Sequence, residues 1–395
     1  HSDVGGATPG SMPAGARELY AEGIVLPPVP YTPDVERLLL ANVRTPEARR
    51  ADLAAQRSAV ERGAVGMLAL VDRHGWRFVQ QAARDLMDDA ERRTRAALAK
   101  AIVDTGESTA YGAVDYLEGD GVTDEDIPIR VNVEIRDGMF HADFTGTSPA
   151  VTGNVNCPLA VTRAAVLFVV QTLVGEDVPM NAGVARVVRV TAPDGCLVNA
   201  RRPSAVAAGN VETSQRIADV VFQALSLGGV PVPAQGQGTM NNVTLGSVAL
   251  RGNGEGWTYY ETIGGGQGAT PMGPGPSGVH VGMSNTRNTP IEVLELEYPL
   301  RVIRYALRRG SGGVGRWPGG DGVVREYELL GDAEASILSE RRWRAPRGAA
   351  GGGDGSPGRN LLNGVSLPSK VTRRLVGGDV LGIETPGGGG WGPVA

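Results

Sequence analysis

The chain has 395 residues, room for two or three domains of ordinary size with a large core. Charged residues make up 21% and hydrophobic ones 41%, and 38 basic against 43 acidic side chains leave a net charge of −5. That balance gives no basic excess for general nucleic-acid binding. The 58 glycines and 26 prolines predict many tight turns and close backbone approaches, yet stay below the share expected of a disordered chain. Cys157 and Cys196 are too few for a disulfide framework or a Cys-rich zinc site and fit a reducing cytosol, with a single disulfide left open. The longest apolar run, Ala164–Val170, is far short of the roughly 18 residues that span a bilayer, and no signal-peptide pattern opens the chain. The expectation is a soluble, cytoplasmic protein. Its polar, glycine-rich opening at His1 predicts a native chain that continues N-terminally.

In chain order, Pro27, Pro28 and Pro30 forbid a helix before Tyr31 and Thr32. A helix over Asp34–Val43 follows Pro33. A second opens with Thr45 as N-cap and Pro46 at the first helical position, and Gly75 ends it beside His74. Trp76–Asp104 is a third amphipathic helix, and the last two form a helical hairpin. From Ile127 the period becomes two, with Ile129, Val131, Val133 and Ile135 alternating up to a hairpin turn at Asp137-Gly138, then Met139–Phe144. Pro158–Val174 and Val211–Leu227 read as helices on either side of a strand pair, Val184–Ala192 and Cys196–Asn199. Short strands are expected at Val243–Leu250, Trp257–Ile263, Val279–Met283 and Tyr327–Leu330, with Gly351–Gly353 and Gly387–Gly390 as loops. Helix and strand mix without strict alternation, so the class is α+β and multi-domain. The expected units are a helical region over 1–126, a mixed region over 127–230 and a glycine-rich β region over 231–395.

The chemistry is sought in polar residues beside glycines. His1 and Asp3 stand two apart, so an extended segment points both to one side, where they would share a metal. The same spacing suits an exposed terminus, and spacing alone leaves both readings open. His280 precedes the polar run Ser284, Asn285, Thr286, Arg287, Asn288, Thr289 at the end of an expected strand, where an Arg fork and amides suit an anionic or imide-like group. An ordinary turn ended by Pro290 fits equally well. Asn241 and Asn242 follow Gly238, and Glu261 precedes Gly264-Gly265-Gly266-Gln267-Gly268. Asn210 or Thr213 is placed to cap a helix. No P-loop, dinucleotide fingerprint, Gly-x-Ser-x-Gly elbow or His-Glu-x-x-His pair is present.

The ordered phrases HSDVGG at His1–Gly6, TPGSMP at Thr8–Pro13, NVRTPEARRADLAAQ at Asn42–Gln56 and NCPLAVTRAA at Asn156–Ala165 continue with GNVETSQRI at Gly209–Ile217 and GTMNN at Gly238–Asn242. ETIGGGQGA at Glu261–Ala269, MSNTRNTPIE at Met283–Glu292 and IETPGGGGWG at Ile383–Gly392 complete the series. Together they resemble the hydantoinase B/oxoprolinase family over nearly the whole chain. The resemblance implies a subunit working with an A-type, ATP-binding partner in a hetero-oligomer on hydantoin- or oxoproline-like cyclic amides. It implies a divalent metal, among manganese, iron and zinc, on His1 and Asp3 with His280 a weaker third ligand. Family members usually carry a further histidine just before the position of His1. The candidate catalytic set is Asn241, Asn242, Glu261, Asn285, Arg287 and Asn288, of which the amides of Asn241, Asn242 and Asn285 and the guanidinium of Arg287 hold the oxygens of an activated substrate. Related subunits serve ketone carboxylases of the acetone carboxylase type, so carboxylation is the alternative reaction. A non-catalytic scaffold is the third reading.

Overall fold

The computed structural model describes residues 3–103, 110–175, 177–247 and 256–394. Helix α1, Pro33–Leu40, starts where Thr32 accepts a hydrogen bond from the Val35 amide at 3.3 Å. Helix α2 runs Pro46–His74 and stops at Gly75, whose φ of 81° no β-carbon favours. Helix α3, Trp76–Val103, turns back along it, so the expected hairpin is present. Its unusual property is exposure: α2 buries no residue among those described.

Strands β1 (Ala110–Glu118), β2 (Asp126–Arg136) and β3 (Met139–Asp143) form an antiparallel meander, with Asp137 and Gly138 at positive φ in the β2–β3 turn. The alternating residues Ile127 to Ile135 of β2 are buried as their period required. Helix α4, Leu159–Val174, is followed by α5, Ala182–Arg186, and then β4, Val188–Thr191, which adds to β3 in parallel. The expected pair of Val184–Ala192 with Cys196–Asn199 is therefore corrected. The Asn181 side chain caps a helical turn by accepting from the Gly183 amide, and Leu197–Asn199 closes a single tight turn. Helix α6, Ser214–Leu227, is entered through a widened turn at Gly209–Thr213 rather than through a side-chain cap at Asn210 or Thr213. Helices α4 and α6 cover the four-stranded sheet and enclose the first core, in which Cys157 and Cys196 are buried free thiols.

The second half is a sandwich. In chain order it holds β5 (Asn242–Ser247), β6 (Thr258–Glu261), α7 (Ile291–Glu297), β7 (Leu300–Arg308), β8 (Gly322–Leu329) and β9 (Ala333–Leu338). After these come β10 (Arg359–Leu362), β11 (Val365–Leu367), β12 (Lys370–Leu375) and β13 (Val380–Glu384). One antiparallel sheet has the order β12-β9-β5-β6 and the other β11-β10-β13-β8-β7, with the second core between them. The expected strand Val279–Met283 is absent, reduced to a single bridge between Val279 and Gly265. The expected end at 248–250 lies outside the described residues.

Gly387–Gly390 is not a surface loop. These glycines are buried among other extended segments, with Gly388 N–H donating to Gly320 O at 2.9 Å and Gly313 N–H to Gly388 O at 2.8 Å. A β-carbon on Gly388 would stand 2.1 Å from the Gln267 carbonyl oxygen. The glycine richness thus builds an interior where backbone packs on backbone.

Candidate active site

The first motif folds around Asp3. Its Oδ1 accepts from Gly5 N–H at 3.1 Å and Arg44 N–H at 3.3 Å, and its Oδ2 from Gly10 N–H at 2.8 Å and Arg44 Nη1 at 3.0 Å. Gly5 has φ 87°, and a β-carbon there would lie 2.6 Å from the Asn42 carbonyl. The motif's glycines are thus explained by this close turn. The segment Pro9–Ser11 then crosses β5 and β6, which leaves a cavity of about 220 Å³ lined by Asp3, Thr45, Arg49, Thr258, Tyr259, Tyr260, Thr289 and Glu297. A larger, more apolar cavity of about 610 Å³ beside Phe222, Pro233 and Trp391 carries none of the candidate residues.

Behind the polar cavity, two tyrosines connect it to the expected set. Tyr259 donates from its hydroxyl to Glu261 Oε2 at 2.7 Å, and the Asn288 amide donates to the same oxygen at 3.0 Å. Arg325, fully buried on β8, donates to Glu261 Oε1 at 2.6 Å. Tyr260 donates to Asn242 Oδ1 at 2.8 Å, and Asn242 passes on to Glu212 Oε1 at 2.7 Å and to the Leu338 carbonyl at 2.9 Å. Asn241 donates to Gln237 Oε1 at 2.8 Å and the Ile263 carbonyl at 3.2 Å, and accepts from Arg342 Nη2 at 2.7 Å. Burial raises both tyrosine pKa values, so these phenols stay protonated and act as donors. Burial also pushes Glu212 up to about 8.

The structure therefore brings Asn241, Asn242, Glu261 and Asn288 to one end of β5 and β6, but with their polar groups spent on protein partners: Asn288 bonds Glu261, while Asn241 and Asn242 bond Gln237, Arg342, Glu212 and Tyr260. The amides of Asn241 and Asn242, expected to hold substrate oxygens, face inward and position Tyr260 and the strand ends. Asn285 and Arg287 stand on an exposed stretch, and the Arg287 side chain has no hydrogen bond or ion pair among the described residues. His280 does not line this cavity. Its Nδ1 meets Ser284 Oγ at 2.8 Å, its buried Nε2 has no partner among the described residues, and burial lowers its pKa. His74 ends α2, and His141 meets Thr191 Oγ1 at 2.9 Å.

The metal expectation meets a specific obstacle. Asp3 spends its acceptor capacity on four donors, and no group of three or more His, Cys, Asp or Glu side chains converges among the described residues. His1 lies outside them. The described residues by themselves do not fit a divalent ion at Asp3.

A family model for hydantoinase B/oxoprolinase matches residues 1–394. The chain belongs to the hydantoinase B/oxoprolinase family. It is 38% identical to 5-oxoprolinase 1 of Arabidopsis thaliana, over 99% of this chain and 32% of that protein. It is 32% identical to a protein of Pseudomonas sp. strain NS671 named as the B-type subunit of a D-/L-hydantoinase, over 99% of this chain and 69% of that one. The chain thus spans about a third of the plant relative's length. Among solved structures, the ATP-dependent caprolactamase of Pseudomonas jessenii superposes with a TM-score of 0.87 at 27% identity, covering 99% of this chain and 70% of that one. An acetone carboxylase shares the fold, with a TM-score of 0.80 at 17% identity over 99% of this chain and 59% of that one.

Within this chain, sequence reading missed Arg44, Arg49, Glu212, Tyr259, Tyr260 and Arg325. Arg44, Arg49 and Glu212 lie inside the phrases that carried the resemblance, which was the available signal. Tyr259, Tyr260 and Arg325 had none, because what matters about them is which residue 2 to 64 positions away they meet. A buried charged seam was also missed: Arg216 meets Asp115, Asp219 and Glu340 at 3.2–3.4 Å, and Lys370 meets Glu340 at 2.5 Å. Among the described residues, no helix is long and apolar enough to cross a membrane.

Proposed function

We propose that this chain is the B-type subunit of an ATP-dependent cyclic-amide hydrolase, acting with an A-type subunit that holds ATP. The observation that carries the reading is the likeness to an ATP-dependent caprolactamase over 99% of the chain, with a polar cavity built by the N-terminal family motif. That cavity favours an enzyme over a scaffold. The likeness to acetone carboxylase, at 17% identity, supports a common fold and leaves carboxylation without a supporting observation of its own.

A cyclic amide resists water because nitrogen donation stabilises its carbonyl. In the proposed reaction the amide oxygen takes the γ-phosphoryl group of ATP, and ADP leaves with the amide N–H proton released to solvent. Water adds to the activated carbon, the ring C–N bond breaks as the nitrogen gains a proton, and a second water frees phosphate from the resulting acyl phosphate. This chain's contribution is to hold the activated ring. Tyr259 and Tyr260, fixed by Glu261 and Asn242, and the hydroxyls of Thr258 and Thr289 line the cavity. Asn285 and Arg287 do not line this cavity; they stand exposed on the stretch that leads to Thr289, without side-chain partners among the described residues, as candidate donors to charge that develops on oxygen.

Co-expression with an A-type subunit tests the proposal. ATP-dependent ring opening of hydantoin or 5-oxoproline supports it, and incorporation of label from bicarbonate into a product replaces it with the carboxylase reading.

A further inference from the structure

The apolar cavity of about 610 Å³ has walls of Phe222, Pro231, Pro233 and Trp391, and Phe168 holds Phe222 edge to face with ring centres 6.3 Å apart. A neighbouring cavity of about 490 Å³ lies over β1 and β2 at Val114, Arg130 and Asn132. Gln223, Leu227 and Arg347 line both, so the two form one cleft, apolar at one end and polar at the other. It shares no lining residue with the cavity at Asp3. The charged groups that line it are Arg130 and Arg347, and neither guanidinium makes a hydrogen bond or ion pair among the described residues. The acids around it are committed elsewhere: Asp115 to Arg216 at 3.4 Å and Arg341 at 2.9 Å, Asp126 to Arg344, and Asp143 to the amide and hydroxyl of Thr145. Arg347 is fixed through its backbone, whose N–H donates to Gln235 Oε1 at 2.9 Å and whose carbonyl accepts from Gln235 N–H at 3.0 Å. Beside it, at the junction, the Gln223 amide makes no hydrogen bond among the described residues, although its Oε1 is closed off from solvent.

Apolar walls with a few convergent polar groups are the make-up of a small-ligand site. The walls favour a hydrocarbon body, and a guanidinium without a counter-ion favours a carboxylate, which its planar fork takes with two parallel bonds. We propose that this cleft is a second binding site, for a small molecule that joins an apolar body to a carboxylate. The body lies on Phe222, Pro233 and Trp391, and the head meets Arg347 and the unused amide of Gln223, with Arg130 adding to the positive field. The proposal stands apart from the cyclic-amide reading, because it concerns a different cavity and a different ligand.

The test is calorimetry on the full chain with three probes: octanoate, neutral octanamide and acetate. Wild type is compared with Arg347→Gln, Arg347→Lys and Leu227→Glu, each checked for fold by circular dichroism. Wild type binds octanoate roughly 10- to 100-fold more tightly than octanamide, the scale of one charge-assisted contact, and holds acetate, which lacks the body, more weakly than octanoate. Arg347→Gln removes most of the difference between octanoate and octanamide, and Arg347→Lys keeps part of it, since the charge remains while the fork is lost. Leu227 is 66% exposed, so Leu227→Glu places a carboxylate at the junction without disturbing a core, and it weakens octanoate while octanamide keeps its affinity. The proposal is overturned if octanoate does not bind, if it binds no more tightly than octanamide or acetate, or if both Arg347→Gln and Leu227→Glu bind it as wild type does.

Discussion

Glu261 was expected in the catalytic set, and in the structure its carboxylate is engaged by three donors. Its carboxylate meets Arg325, Tyr259 and Asn288 within the sandwich. Arg325→Met leaves that buried charge without a cation, and urea denaturation is expected to show a loss of about 3–5 kcal/mol. Glu212 gives a pH test. Burial lifts it from the ordinary 4.5 to about 8, so the folded state holds this proton more tightly than the unfolded one. Its contribution to stability is therefore full below pH 4.5 and lost as pH rises to about 8. Glu212→Gln keeps an acceptor for the Met240 amide and Asn242 and carries no charge, so its melting temperature should fall less than that of wild type between pH 5 and 8. An equal fall in both would contradict the assignment. Arg287 is exposed and pairs with no carboxylate among the described residues, Glu292 included, so Arg287→Lys should leave the melting temperature unchanged. If Arg287 meets charge developing on substrate, the same change lowers turnover of the complete complex by roughly 10²–10³. Unchanged turnover would remove it from the site.

At the scale of elements, glycine has two opposite meanings here, and substitution separates them. Gly63 and Gly66 sit inside α2 with open space where a β-carbon would go. Gly63→Ala and Gly66→Ala should each stabilise the chain by about 0.5–1 kcal/mol through helix propensity. Gly388→Ala puts a methyl 2.1 Å from a carbonyl oxygen and should destabilise severely, seen as loss of soluble, cooperatively melting protein. The sequence shows both kinds of glycine alike, because a run such as Gly387–Gly390 reads as a loop unless the segments it packs against are known. Local signals were legible: Pro33 and Pro46 mark helix starts, and alternation with Asp137-Gly138 marks the β2–β3 hairpin. β1 was not, since Ala110–Glu118 mixes Gly112 and Asp115 into its pattern and draws its pairing from β2. β7 was not either, because as an edge strand it is exposed over most of its length and shows no buried period. The site was legible as motifs and illegible as contacts. HSDVGG pointed to Asp3, but the partner that neutralises it, Arg44, is 41 positions away, and nothing in Asn241-Asn242 tells which way the amides face.

For the whole molecule, the two cores meet along the charged seam of Arg216, Asp115, Glu340 and Lys370, and the motif cavity lies against β6 beneath the N-terminal segment. The proposed function puts the nucleotide on a partner, and the sequence carries no P-loop or dinucleotide fingerprint. The isolated chain should therefore bind ATP with no measurable heat in calorimetry, while the complex hydrolyses ATP when substrate is present. Tight ATP binding by this chain alone would overturn that division of labour. Reconstituting the chain with an A-type subunit and measuring ring opening of 5-oxoproline and hydantoin alongside ADP release tests the proposed function most directly. Ring-opened product is expected only when both chains and ATP are present, with ADP formed in step with product and no bicarbonate carbon in it. Ring opening without ATP, or a carboxylated product, would contradict it.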